Sequence, residues 1–151
     1  METKGASASG IVAILFVTGL VAQAKPDFSG TWTLIAATDK SGDLMKTREV
    51  RLIALLQWDP ETITIEGQKM TVSKPFETLV YMLDGTPSKD EEAGYVLTSK
   101  WEGKTLVTTM VFEDSITMSG KQIEKRRIGA DGTMVVEMSG SRDQTLVYKK
   151  K

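Results

Sequence analysis

Three observations in this 151-residue chain predict an all-β fold: an antiparallel up-and-down β-barrel of about eight to ten strands, with a short helical segment between the first and second. Apolar and polar residues alternate with a period of two over much of the chain beyond residue 27, the spacing that sends successive side chains to opposite faces of a strand. Turn-forming pairs break the alternation at short intervals. Gly67-Gln68, Glu102-Gly103 and Asp131-Gly132 leave loops so short that the flanking strands must run antiparallel. The third observation is that the pattern fails in only one long stretch, between Thr38 and Pro60. Closing the sheet is the more complete way to remove the exposed edges of so many strands, although a sandwich with a threonine-rich outer face fits the same pattern.

The chain opens with METKGASASGIVAILFVTGLVAQA. Lys4, an apolar run from Ile11 to Ala22 and the trio Ala22, Gln23, Ala24 have the layout of a secretory signal peptide, in which an apolar run of about 7 to 15 residues precedes a small-x-small cleavage site. A bilayer span needs about 20 apolar residues, and this run is shorter and interrupted by Thr18 and Gly19. The expected division is therefore a signal peptide over residues 1–24 and one barrel domain over 25–151, secreted or periplasmic and without membrane insertion after cleavage.

Phe28, Gly30, Trp32, Leu34 and Ala36 then alternate with Ser29, Thr31, Thr33 and Ile35, which puts both aromatics on the core face of a first strand. In the interrupted stretch, Leu44, Arg48, Arg51, Leu52, Leu55 and Leu56 recur at spacings of three and four, with capping oxygens at Ser41 to Asp43. This predicts a helix from Asp43 to Gln57 that Pro60 stops; a strand from Val50 to Trp58 is the competing reading. Thr62 to Glu66 pairs with Lys69 to Lys74, and Gly94 to Trp101 with Lys104 to Phe112. Further strands fall at Thr78 to Leu83, Ile116 to Met118, Gln122 to Ile128, Thr133 to Met138 and Gln144 to Lys149. Asp90, Glu91 and Glu92 read as a solvated loop rather than a calcium site, which needs a denser set of oxygens and a glycine turn.

Absences narrow the chemistry. There is no histidine and no cysteine, so the usual zinc sites, haem on a His or Cys axial ligand, Ser-His-Asp triads and cysteine nucleophiles each lack a necessary member. No metal site, no cofactor and no catalytic residue is marked out, and the reading leans away from an enzyme. A formal net charge of −1 provides no broad positive field for nucleic acid, and the run Glu124-Lys125-Arg126-Arg127 does not change that.

Phe28-x-Gly30-Thr31-Trp32-x-Leu34 resembles the first strand of the calycin barrels, most closely that of the intracellular fatty-acid-binding proteins; lipocalins share its Gly-x-Trp core. The resemblance implies that Phe28, Gly30 and Trp32 close one end of the barrel, with a basic residue of a late strand, Arg127, packed near the tryptophan. Fatty-acid-binding proteins also grip a carboxylate with Arg-x-Tyr on the last strand and a second arginine about twenty residues upstream. Here Tyr148 matches, Leu146 stands in place of the arginine, and Arg126 falls near the upstream position with Arg127 as the register alternative. The leader is a further departure, since those relatives work in the cytoplasm, and secreted bacterial lipocalin-like domains are the nearer analogy.

A barrel of this size has room for one small ligand. Tyr81, Tyr95, Trp101, Met110, Phe112 and Met118 are the candidates to line its cavity, with Arg126 and Tyr148 for a polar head; the plainer reading of the apolar ones is that they fill the core. The function expected is an exported, non-covalent carrier of a small hydrophobic or amphipathic molecule. The alternative is a structural or interaction module of the cell envelope whose barrel is filled by side chains.

Overall fold

A computed structural model describes residues 24–54, 59–113 and 120–151. All but Ala24 of the expected leader, the last part of the expected helix and the strand expected at Ile116 to Met118 lie outside the described residues.

Ten strands form one antiparallel sheet. They are β1 (Gly30–Ala37), β2 (Glu61–Glu66), β3 (Lys69–Lys74), β4 (Glu77–Met82), β5 (Ser88–Asp90), β6 (Tyr95–Glu102), β7 (Thr105–Phe112), β8 (Gly120–Ile128), β9 (Met134–Gly140) and β10 (Gln144–Lys150), with the helix α1 (Thr47–Ile53) between β1 and β2. The sheet order β4-β3-β2-β1-β10-β9-β8-β7-β6-β5 is sequential except where β10 returns to pair with β1. The sheet curls until β4 lies beside β5 and β6, so the barrel is nearly closed. Among the described residues, the seam between β4 and β5 is its one junction without a ladder.

The two-residue periodicity sets the inside. Residues opposed across a ladder share a face, and the opposed pairs Leu106 with Arg126, Arg126 with Val136 and Tyr148 with Met134 all consist of buried residues. On β7 the inward set is Leu106, Thr108, Met110 and Phe112, while Val111 faces out and is exposed. The acidic loop begins later than the sequence suggests: Ser88, Lys89 and Asp90 pair with Leu97, Val96 and Tyr95. Strand β5 has no apolar alternation to reveal it, and only its pairing with β6 makes it a strand.

Helix α1 begins four residues after the expected Asp43. The Asp39 carboxylate accepts from the backbone N–H groups of Ser41 and Asp43, and Thr38 bridges to Leu44, so that stretch is held as a turn. The helix starts instead where Glu49 reaches back to the Lys46 N–H at 2.8 Å, the reciprocal contact of a capping box. Its Val50 is buried and its Leu52 exposed, the two sides of an amphipathic helix lying over one end of the barrel.

The other end is sealed by the segment that precedes β1. Phe28 is fully buried and stacks on Trp101, with ring centroids 6.0 Å apart and planes within 4°. Trp32 donates its indole N–H to the Phe28 carbonyl at 2.8 Å. Lys25 spans the same corner, its ammonium 5.3 Å from the Trp101 ring centre and bonded to the Gly103 carbonyl. Gly30 has φ +124°, and a Cβ there would meet Cε of Lys150. The bare backbone lets the Lys150 stem pass, and its ammonium lies 5.5 Å from the Trp32 ring centre, a cation–π contact.

Candidate functional site

Between the sealed end and the mouth lies a buried charged network. Arg126 on β8 is almost wholly buried, as is Glu61 on β2, and the two form a direct ion pair. Glu124, two residues before Arg126 and so on the same face, takes Arg126 Nε at 3.2 Å and Nη2 at 3.1 Å on its Oε1. The Tyr81 hydroxyl donates to Glu124 at 3.3 Å to Oε2, and its ring centre is 5.9 Å from the guanidinium carbon. Met134 accepts from Arg126 Nη1 through its sulfur at 3.2 Å.

Burial disfavours the charge of such a guanidinium, although arginine stays protonated in proteins. Burial opposes the Arg126 charge, but the Glu61 and Glu124 carboxylates together outweigh it and hold Arg126 above its ordinary range. Burial and the Glu124 carboxylate push the Tyr81 hydroxyl well above the tyrosine range, and burial and Glu61 do the same to Tyr148. Both phenols therefore remain donors facing carboxylates. One cation is thus shared by two carboxylates, so the network carries a formal charge of −1.

Toward the mouth the interior opens into a cavity of about 440 Å³, within the roughly 300–1,000 Å³ of small-molecule sites. Leu79, Met110, Phe112 and Met138 form its apolar wall, Gln122 and Glu124 add polar groups, and Lys74, Glu77 and Arg142 stand among the charged residues that line it. Tyr95 packs edge-on against Phe112 at 6.4 Å and donates its hydroxyl to Asp90 at 3.4 Å. Gln122 bonds the Met138 sulfur and the Ser141 hydroxyl, which fixes its amide in the wall. Ser99 and Thr108, opposed on β6 and β7, share a buried hydrogen bond of 2.8 Å, and Thr108 is directly opposite Glu124.

The site residues expected from sequence fall into three groups. Met110 and Phe112 line the cavity, and Tyr95 supports it. Arg126, Tyr81 and Tyr148 meet in the network beneath. Trp101 sits apart, in the sealed end against Phe28, and Met118 lies outside the described residues. Of the two arginines left in register competition, Arg126 points inward, while Arg127 is on the opposite face of β8 and only partly buried. Phe28 and Trp32 are buried at that end with Gly30 against the Lys150 stem, and Lys150 rather than Arg127 supplies the cation over Trp32. Glu61, the ion-pair partner, was not among the expected site residues. Its signal was its parity, since Glu61, Ile63 and Ile65 share a strand face and a carboxylate in phase with core isoleucines calls for a buried cation.

A nearly closed, ten-stranded antiparallel barrel with one short helix between its first two strands is therefore the class that the fold defines. Among solved structures it is similar to that titled human cRBP IV, a cellular retinol-binding protein, with a TM-score of 0.56 and 16% identity over 83% of this chain and 99% of that one. That likeness is one of fold. No family model matches the chain, and no curated protein sequence does either.

Proposed function

We propose that this protein binds a small hydrophobic or amphipathic molecule non-covalently in the mouth of its barrel, and that it does so outside the cytoplasm after losing residues 1–24. The observation that carries the reading is the cavity of about 440 Å³ with an apolar wall and a carboxylate, Glu124, at its inner limit. An apolar wall with a few placed polar groups is the usual composition of a ligand pocket. The retinol-binding protein named above adds support by analogy of fold, and the leader-like first 24 residues support the location.

The packed lower half of the barrel, from Phe28 and Trp32 to Leu146, is what an interaction module without a ligand would need throughout. The cavity is what separates the two readings. Titration with the neutral apolar dye Nile red tests them: saturable binding that Met110→Trp weakens about tenfold supports a carrier, and no saturable binding defeats it. N-terminal sequencing of exported material tests the location, with an intact Met1 as the contrary result.

A further inference from the structure

The head group that this cavity takes can be read from the groups at its inner end. Resting on the ligand-binding reading above, we infer that the ligand carries a protonated amine, not a carboxylate, and enters with that amine directed at Glu124.

Arg126 is the cation that a fatty-acid carboxylate would have to reach. Its Nη1 is taken by Glu61 and the Met134 sulfur, and its Nε and Nη2 by Glu124. The protein thus supplies from its own chain the carboxylates that a ligand acid would otherwise bring, and it supplies two of them. A third carboxylate would approach a site of net charge −1 across a poorly solvated interior, where like charges repel far more strongly than in water. Glu124 is also the member of the network that reaches the cavity: its side chain is 14% exposed against 1% for Glu61. Its Oε1 serves Arg126, while Oε2, among the described residues, takes only the long bond from Tyr81. A carboxylate oxygen has more acceptor sites than that, so Oε2 can take a hydrogen bond from a ligand.

Around Glu124 the chemistry agrees. Thr108 opposite is a small hydroxyl, and Gln122 on the same face is anchored by Ser141 and Met138. The cations that do line the cavity, Lys74 and Arg142, are each engaged within the protein. An ammonium at Glu124 brings the buried formal charge to zero and leaves its alkyl chain along Met110, Phe112 and Met138.

The experiment is a displacement series on the purified full-length chain loaded with Nile red, using dodecylamine, dodecanol and dodecanoate below their micelle concentrations. These share one chain and differ only in the head. The amine should displace the dye at a concentration at least about tenfold below the alcohol, with the acid weakest. In Glu124→Gln, which keeps the side chain's size and its acceptor oxygen, the advantage of amine over alcohol should fall at least about fivefold, with folding checked by circular dichroism. Dodecanoate equal to or better than the amine overturns the head-group inference while leaving a ligand-binding barrel, as does an amine advantage that survives Glu124→Gln. Failure of Nile red to bind removes the carrier reading, and the inference with it. If the variant does not fold, the ranking of the three heads on the unaltered protein decides.

Discussion

Phe28 and Phe76 are the same side chain at opposite ends of one barrel. Phe28 is wholly buried, stacked on Trp101 and roofed by the Trp32 indole bond; Phe76, in the turn between β3 and β4, is 79% exposed at the edge of the cavity. The closed end spends its aromatic surface on packing, and the open end leaves apolar surface beside a void. Folded domains bury such groups when nothing else requires them outside, so the contrast assigns stability to one end and, under the proposed function, ligand access to the other. Arg126 lies on the border, buried in the network, with its partner Glu124 lining the cavity above.

The largest effect should come at that border. Arg126→Met removes the cation and strands the buried Glu61 and the partly buried Glu124, at a cost of about 3–5 kcal/mol in urea unfolding, and adding Glu61→Gln should recover part of the loss. A cost under about 1 kcal/mol would mean that the pair behaves like a surface one. Phe28→Ala should cost nearly as much, about 3 kcal/mol or more, by opening a void under Trp32 and Trp101. An equal loss at Phe76 would erase the contrast between the ends.

Alkali tests the same division without mutation. Tyr81, Tyr95 and Tyr148 all have their pKa raised, chiefly by burial, and they are all the tyrosines of the chain. A raised folded value means that the native state keeps its phenolic protons after the unfolded chain has lost them. Their contribution is complete below the unfolded value of about 10 and declines as pH rises above it. Tyrosinate absorbance should therefore appear together with loss of the fold, and a separate titration near the ordinary value in intact protein would contradict the burial. The smallest effect belongs to Phe76→Ser, within about 0.5 kcal/mol of the parent, measured by the same urea transition.

Much of the barrel was legible because its alternation is a local property of each strand. Lys69 to Lys74 was read to its ends, and most other strands to within two residues. What was not legible depends on partners distant in sequence. Strand β5 exists through β6; Lys150 rather than Arg127 covers Trp32 because the register of β10 on β1 places it there; and Trp101 meets Phe28 because the chain before β1 folds under the β6–β7 turn. In the candidate site, the inward arginine, Tyr148 and part of the cavity wall were named from sequence. The acid that neutralises the arginine was missed: the parity of Glu61 calls for a buried cation, but nothing local to it says that Arg126 will be that cation.

The ladder between β1 and β10 sets a condition on when this protein can finish folding. Trp32 pairs with Lys150, and the Lys151 N–H bonds the Thr31 carbonyl, so β1 waits for β10, which follows every other described strand in the chain. Until then β1 has β2 on one side and an unpaired row of backbone groups on the other, and contacts this remote in sequence are slow to form.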